Sequence, residues 1–296
     1  MIKSKSFKRY QLLLHIIMIV LALIVLLPIL LLLSSSLTSE RSLIVNGYSF
    51  FPKEFSLEAY KYMWNNRQTI LTSYRNTIIA TAVGTTANVL LTATMAYPLS
   101  LKKLPGRNVL SFLVLFTMLF NGGLVPSYLM WTGTFHIKNT IWALILPNYM
   151  LSAMNIILVK NFYMGNIPEA IYEAAQIDGA SYFRIFRQIV LPLGKPIIVT
   201  ITVFSGLTYW NDWTNGLYYI NKANLYSIQS LLNKMILDIQ AIQANATAAA
   251  STASAAIPQV STRMAIAFVA LAPILVIYPF LQKYFASGIA LGAVKG

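Results

Sequence analysis

Long apolar stretches separated by short polar segments dominate the chain. The first stretch, residues 12–33, contains no formally charged side chain and is close to the ~20 residues that a helix needs to cross a bilayer. Five further stretches of similar character follow it, at 76–99, 109–131, 140–163, 197–216 and 264–285. This pattern predicts an all-α, polytopic membrane protein with six transmembrane helices.

The first apolar stretch raises the question of a cleaved signal peptide, because residues 1–11 carry four cations and no acid. Its apolar run is longer than the roughly 7–15 residues of a signal peptide, and no small-x-small cleavage site follows Ser34–Ser36. We therefore interpret it as a retained first helix whose N-terminus lies in the cytoplasm.

Two of the inner stretches carry features beyond hydrophobicity. Ala80, Gly84 and Asn88 recur every four residues, so one face of the second helix is small and can pack closely against a neighbour. The third stretch is interrupted at 121–123 and at Pro126. A break at membrane depth is tolerated where protein or a cavity satisfies the backbone, so this segment either lines a pathway or is the start of a loop.

The polar segments predict the topology. With the N-terminus inside, 13 of the 22 Lys and Arg residues fall in cytoplasmic segments, and the remaining cations are spread over longer external ones, in agreement with the positive-inside rule. Residues 34–75 and 217–261 then form long external loops, the second with an Ala-rich part at 241–256. Both loops are longer than two helices need for their connection, which indicates a task of their own.

The composition, 57% hydrophobic and 10% charged residues, excludes several classes of protein. The net charge of +14 does not indicate a nucleic-acid binder, because the cations lie in short loops between apolar runs rather than on one polar face. Two histidines and no cysteine are too few for a metal cluster or a thiol nucleophile. The chain has no phosphate-binding Gly-rich loop, nucleophile elbow or glycosidase-like carboxylate pair, so any energy source must lie on a partner.

Residues 165–196 differ from the rest of the chain, because they hold three of its eight acids. Asn166 and Pro168 suit the start of a first short helix. Asp178-Gly179 is typical of a turn that ends a helix. Ala170, Ala174 and Ile177 form a thin apolar stripe at helical spacing. The segment therefore predicts a helical bracket, that is, two short helices joined by a tight turn, which serves as a docking surface.

The second half of the bracket is basic. Ser181 suits a helix cap, and Pro192 and Pro196 are expected to end this helix. Phe183, Phe186 and Val190 are expected to line one of its sides, and Arg184 and Arg187 another.

The run EAAQIDGASYFRIFRQIVLPL resembles the EAA loop of permease subunits of ABC importers. It is similar to the carbohydrate branch of that family, the maltose-type and complex-oligosaccharide permeases. The loop sequence FPKEFSLEAYKYMW and the tail KYFASGIALGAVKG resemble the same branch. The positions that carry the motif are Glu173, Ala174, Ala175, Gly179, Ile189, Leu191 and Pro192.

The resemblance implies how the chain works and with what. The fold would be that of an ABC type I importer permease, and Glu173 would pair with a basic residue in a cleft of an ATPase subunit. Ala174 and Ala175 would allow close approach, and Gly179 would permit the turn. Secondary polar contacts would come from Glu169, Asp178, Arg184 and Arg187.

The implied partners are a homologous second permease, a dimer of ATPase subunits, an extracytoplasmic sugar-binding protein and the lipid bilayer. The chain itself would bind no cofactor, since ATP and Mg would lie on the ATPase subunits. The implied location is the bacterial cytoplasmic membrane, with both termini in the cytoplasm.

Candidate substrate contacts lie at the outer end of the fifth apolar stretch. Sugars are bound by aromatic faces together with amide or carboxylate groups, and the run from Tyr209 to Trp213 offers both. Asp212 is an acid beside a predicted span, which indicates function, although Trp and Tyr also favour membrane interfaces for their own sake. The whole predicted set is Tyr209, Trp210, Asn211, Asp212 and Trp213, with Asn121, Tyr128 and Trp131 on weaker grounds.

We divide the chain into residues 1–75 (N-terminus, first helix and external loop), 76–285 (core permease with the bracket) and 286–296 (cytoplasmic tail). An importer of amino acids or peptides is the nearest alternative function. An ion-coupled carrier would need ionisable groups deep in its spans, and a membrane-embedded enzyme would need clustered polar residues near one face. Neither pattern is present in the sequence apart from Asp212.

Overall fold

A computed structural model describes residues 5–246 and 260–293, and in those residues the structure is helical. The only β pairing there is one isolated bridge, Thr38 to Phe55. Short 3₁₀ or π turns occupy Met130–Thr134, Ile141–Leu144, Phe186–Val190 and Ala223–Leu225. The α-helices are α1 (Lys5–Ser36), α2 (Glu40–Asn46), α3 (Glu58–Asn65), α4 (Arg67–Ser100), α5 (Arg107–Leu119), α6 (Leu124–Leu129), α7 (Ala153–Asn166), α8 (Glu169–Ile177), α9 (Tyr182–Ile185), α10 (Leu191–Leu193), α11 (Lys195–Trp210), α12 (Thr214–Tyr219), α13 (Ile228–Ala246) and α14 (Val260–Ala293).

Three of the described helices are long and apolar enough to cross a membrane without a break, over Tyr10–Ser36, Arg67–Ser100 and Val260–Ile277. Two pairs of helices, each bent at a short break, add two further spans if each pair is counted as one span. The first joins Arg107–Leu119 to Leu124–Thr134 at 106°, and the second joins Tyr182–Leu193 to Lys195–Trp210 at 78°. The prediction of an all-α polytopic protein is therefore confirmed, and the expected break in the third span lies between α5 and α6.

The expected fourth span, 140–163, differs from its prediction. Its first part is a 3₁₀ turn followed by irregular backbone, and the α-helix begins only at Ala153. Pro147 cannot continue a helix, and Asn148 has a positive φ of 68°. The apolar residues Ala143, Leu144 and Ile145 are buried in a core cluster, so their hydrophobicity reflects packing within the protein rather than a transmembrane helix.

The expectations for the Ala-rich segment and the tail fall partly outside the described residues. Helix α13 continues to Ala246, and the rest of the Ala-rich segment lies beyond the described part. Helix α14 contains Pro273 and Pro279 without interruption and runs to Ala293, so residues 286–293 of the tail belong to this helix. Residues 294–296 lie outside the description.

The chain divides into two compact units, one of residues up to Gln68 with Lys234–Ile274, the other of Thr69–Asn233 with the residues from Leu275 on. In the first unit, the Ser36 hydroxyl is 2.8 Å from that of Tyr60. The Glu40 carboxylate at the start of α2 accepts hydrogen bonds from the backbone N–H groups of Val260 and Ser261 at 2.9 and 2.8 Å. A carboxylate there satisfies first-turn donors of α14 and complements the positive end of its dipole.

The second unit confirms the small face of α4. Ala80, Gly84 and Asn88 are all buried, and the Tyr209 ring of α11 lies directly against Gly84. The Tyr209 hydroxyl donates to the Ile145 carbonyl at 2.9 Å. Close approach of α4 and α11 therefore depends on the missing side chain at Gly84.

A buried polar cluster accompanies this contact. The Ser205 hydroxyl donates to Asn88 Oδ1 at 2.6 Å, and the Asn88 amide donates to the Tyr149 carbonyl at 2.8 Å. Asn155 of α7 donates to the same Asn88 oxygen at 3.4 Å. Helices α4, α7 and α11 are thus joined through one asparagine, which satisfies polar groups that would be costly to bury alone.

Candidate functional site

The first helix of the bracket, α8, begins two residues later than Asn166 suggests. Asn166 is the last residue of α7, and its side-chain amide donates to the Phe162 carbonyl at 3.0 Å. The prediction that Asn166 caps the bracket helix is therefore wrong, and Pro168 occupies that position without a side-chain hydrogen bond. The reason is that Ile167 is buried in the core, with 4% of its surface exposed. Helix α7 therefore ends at Asn166, and α8 begins only at Glu169.

The turn of the bracket is the one that the sequence predicts. Gly179 adopts a left-handed φ of +73°, and the Ala180 N–H donates to the Ala175 carbonyl at 2.9 Å. The Ser181 hydroxyl accepts the Arg184 N–H at 3.3 Å and so caps the second helix. The predicted turn and the predicted Ser181 cap are both confirmed.

The second helix does not stop at Pro192 as expected. A π turn, Phe186–Val190, leads into α10, and Pro192 lies in the first turn of α10, where a missing N–H is tolerated. The chain bends at Gly194, where a Cβ would lie only 2.5 Å from a ring carbon of Tyr163. The close packing of the Tyr163 ring against Gly194 thus sets the position of the bend between the bracket and α11.

The inner face of the bracket is anchored in the core of the second unit. Ala175, Ile185, Phe186 and Val190 are buried there. The ring of Tyr97 from α4 stacks on Phe186, with centroids 5.2 Å apart, and lies 6.5 Å from the ring of Tyr172. The bracket is therefore packed closely against residues of α4 and α11.

The outer face carries the exposed part of the motif. Ala170 and Ala174 are exposed, as are Ile177 and Phe183, at 86% and 70%. Phe183 thus departs from the expectation that it lies on one side with Phe186 and Val190, which are buried. Ala175 likewise packs against the chain's own core, so of the two motif alanines only Ala174 is open to a partner. The charged residues expected to take part, Glu169, Glu173, Asp178, Arg184 and Arg187, are also exposed.

Two ion pairs join α8 to the segment that follows α4. Lys102 Nζ lies 2.7 Å from Glu169 Oε2, and Lys103 Nζ lies 3.0 Å from Glu173 Oε1. The hydrogen bond from Lys102 lowers the pKa of Glu169, and the bond to Glu173 raises the pKa of Lys103. Lys102 and Lys103 were not among the residues predicted for this site; two adjacent cations in one short loop and two acids four residues apart in another were the available signal.

A cavity of about 550 Å³ lies between the same two segments. Its lining includes Tyr97, Tyr163 and Tyr172 together with the four charged residues of the ion pairs. The hydroxyl oxygens of Tyr97 and Tyr163 are buried without a hydrogen-bond partner in the described residues. The seam between α8 and the Lys102–Lys103 segment is therefore incompletely packed.

The predicted substrate residues 209–213 divide into a buried and an accessible group. Asp212 is 5% exposed, and its Oδ1 accepts from the Tyr149 hydroxyl at 3.2 Å and from the backbone N–H groups of Thr214 and Asn215. Tyr209 is 2% exposed and packs in a T-shape on Tyr149. Both side chains therefore hold the junction between α11 and α12 together.

The accessible group comprises the neighbouring positions. Trp213 is 45% exposed and Asn211 is also exposed, whereas Trp210 is half-buried, with its ring 6.5 Å from that of Tyr74. Of the weaker candidates, Asn121 is exposed and accepts the Gly123 N–H. Half-buried Tyr128 stacks on Tyr219 and accepts a hydrogen bond from Lys138, and Trp131 packs on Phe135. Their role in substrate contact stays a prediction.

Replacing Gly179 by Leu is expected to destabilise the bracket by about 1–2 kcal/mol, since a left-handed φ is unfavourable for a residue with a Cβ. The cause would be backbone strain alone, because no atom lies within 4 Å of a Cβ built there. Hydrogen exchange of the 176–185 amides would measure it. Gly133→Ala is the control, since Gly133 has equal space and no positive φ. Unchanged exchange in Gly179→Leu would contradict the prediction.

The fold and this site define a class, the helical integral membrane proteins with an exposed bracket that is anchored in the core. The chain belongs to the family described as "Binding-protein-dependent transport system inner membrane component", which matches residues 83–291. It is therefore a multi-pass protein of the inner membrane, and its predicted membership of the ABC importer permeases is confirmed.

Relatives of known name cover nearly the whole chain. The Bacillus subtilis protein LplC is 39% identical over 89% of this chain and 87% of its own length. The polygalacturonan/rhamnogalacturonan transport system permease protein YtcP of the same organism is 37% identical over 97% and 98%. A solved bacterial ABC transporter involved in import of the acidic polysaccharide alginate matches with a TM-score of 0.77 and 27% identity, covering 95% of this chain and 98% of that one.

Proposed function

We propose that this chain is the membrane-spanning permease subunit of an ATP-driven importer that carries a carbohydrate, either an oligosaccharide or a polysaccharide fragment. Support for the substrate class comes from the relatives. YtcP is named for polygalacturonan and rhamnogalacturonan, a 27% identical B. subtilis permease for melibiose, raffinose and stachyose, and the structural neighbour for alginate. All of these names denote saccharides of more than one unit.

The arrangement of the bracket is the observation that carries the coupling role. One side of α8 and α9 is buried with α4 and α11, while the side with Glu173, Ala174 and Phe183 is exposed. A short helix of this kind fits a groove on a partner. Movement of an ATPase groove would then shift the attached membrane helices as a rigid group.

The proposal includes the assembly around the chain. Two ATPase subunits hold ATP and Mg and meet the bracket in the cytoplasm, where both termini of the chain also lie. A homologous permease completes the pathway, and an extracytoplasmic binding protein delivers the sugar. Amino-acid or peptide import is the alternative within the family, and ion-coupled transport the alternative outside it.

Uptake by the reconstituted complex tests this function. The proteoliposomes contain both permeases, the ATPase subunits and the binding protein. They should accumulate a labelled oligogalacturonide or a neutral oligosaccharide of equal length. This uptake should occur only when ATP is supplied on the ATPase side. Accumulation driven by a proton or sodium gradient without ATP would show the secondary carrier. ATP-driven uptake of amino acids or peptides, with none of either sugar, would show the other importer class.

A further inference from the structure

Two Lys–Glu ion pairs among the described residues involve α8. The partners are adjacent residues, Lys102 and Lys103, and the acids are Glu169 and Glu173, one helical turn apart. Residues four apart lie on the same face of a helix. Two ion pairs at successive turns therefore favour one rotation of α8 about its axis.

These ion pairs contribute little to the stability of the fold and are easily exchanged for others. The side chains of Lys103 and Glu173 are 75% and 53% exposed, and those of Lys102 and Glu169 are 65% and 44% exposed. Ion pairs in such settings stabilise a structure little, because water screens them and two long side chains must be ordered. A competing charge can therefore displace them easily.

The seam beside the pairs leaves room for movement. The cavity of about 550 Å³ separates part of α8 from the segment of the two lysines. The hydroxyls of Tyr97 and Tyr163, which have no hydrogen-bond partner among the described residues, lie in its lining. Well-packed interiors resist displacement, whereas this seam is held at its rim by ionic contacts and deeper down by ring contacts. The rim can thus open while the Tyr97 ring contacts hold the bracket to α4.

We propose that Lys102 and Lys103 are positioning residues that hold α8 in the undocked permease, and that both ion pairs open when a cationic side chain of the ATPase takes Glu173. This inference rests on the proposed function, since it needs an ATPase as the partner. Lys103 then competes with the ATPase for the same carboxylate, and the resting orientation of α8 is set before docking.

The competition predicts a change in affinity. In titrations of purified permease complex with ATPase at low salt, Lys103→Gln should bind the ATPase about threefold more tightly, since the loss of an exposed pair is a small effect. Lys103→Arg, which keeps the pair, should bind like wild type. Lys195→Gln is the matched control, because Lys195 is exposed, lies at the other end of the bracket, and has no carboxylate within 4 Å in the described residues.

The opening of the pairs is tested by a cross-link. The chain has no cysteine, so Lys102→Cys with Glu169→Cys provides two unique thiols and leaves Lys103 and Glu173 intact. A short bis-maleimide linker that contains a cleavable disulfide should reduce ATP-driven uptake by the full complex at least about tenfold, and reduction of the linker should restore it. Each single cysteine variant treated with the same reagent is the reference for the effect of substitution and labelling, and uptake by the linked double variant should fall well below both.

The outcomes separate this inference from the function beneath it. If wild type binds no ATPase, the proposed function fails. If wild type binds ATPase but Lys103→Gln binds no more tightly than Lys195→Gln, or if the cross-linked complex transports at the wild-type rate, the positioning role is overturned while the function stands.

Discussion

Glu173→Arg is expected to abolish ATP-driven uptake while the permease still folds and inserts. The exposed carboxylate would be replaced by a cation facing both Lys103 and the basic groove proposed for the ATPase. Truncating one partner of a buried charge pair in an interface costs about 2–5 kcal/mol, and like charges add repulsion. Binding of the ATPase should therefore weaken by at least about 30-fold, measured by titration with the purified permease complex.

Glu58→Arg is the matched control for this reversal. Glu58 is an exposed acid in the first turn of α3, so the same chemical change is made at a helical acid outside the bracket. Its ATPase binding should equal that of wild type. A Glu173→Arg permease that binds ATPase and imports sugar normally would show that α8 is a polar hairpin with no docking role.

Gly84→Val is expected to have the second large effect, on the membrane core itself. A Cβ at position 84 would coincide with the Tyr209 ring, and that ring cannot turn away without losing its buried bond to the Ile145 carbonyl. Overpacking costs about 1–3 kcal/mol and an unsatisfied buried hydroxyl about as much. A loss of about 3 kcal/mol or more is thus expected in the free energy of unfolding, measured by thermal denaturation in detergent.

Gly206→Ala is the control that separates the steric effect at position 84 from the effect of replacing a helical glycine as such. A Cβ at Gly206, on α11, meets only the Thr85 hydroxyl at 3.7 Å, an ordinary contact. The unfolding temperature of the Gly206→Ala variant should equal or slightly exceed that of wild type, because alanine has a higher helix propensity than glycine. Equal loss of stability in both variants would contradict the steric role assigned to Gly84.

Local sequence signals predicted the turn and the second cap of the bracket correctly, because both features are local. The turn at Gly179 follows from backbone freedom at one residue, and the Ser181 cap from a bond three residues away. The small face of α4 follows from helical spacing alone. Such features do not depend on where the rest of the chain lies.

The misses share a different cause, which is contact between distant parts of the chain. The ion pairs of α8 join residues 67 and 70 positions apart, and no periodicity reveals a partner at that distance. The substrate contact predicted for Asp212 stays a prediction, but its bond to Tyr149, 63 positions away, was not visible in the sequence. The apolar run at 140–146 has the composition of a span, and hydropathy alone does not distinguish a core segment from a transmembrane one.

The hydrogen bonds of the Glu40 carboxylate determine when the first unit can finish folding during synthesis. Its partners Val260 and Ser261 lie 220 and 221 residues further along. At a synthesis rate of about 5–20 residues per second, roughly 10–45 s separate the emergence of α2 from that of its partner helix. During that interval the carboxylate lacks these two partners, so formation of this contact is a late event in biogenesis. The first unit can reach its final form only after most of the second has left the ribosome.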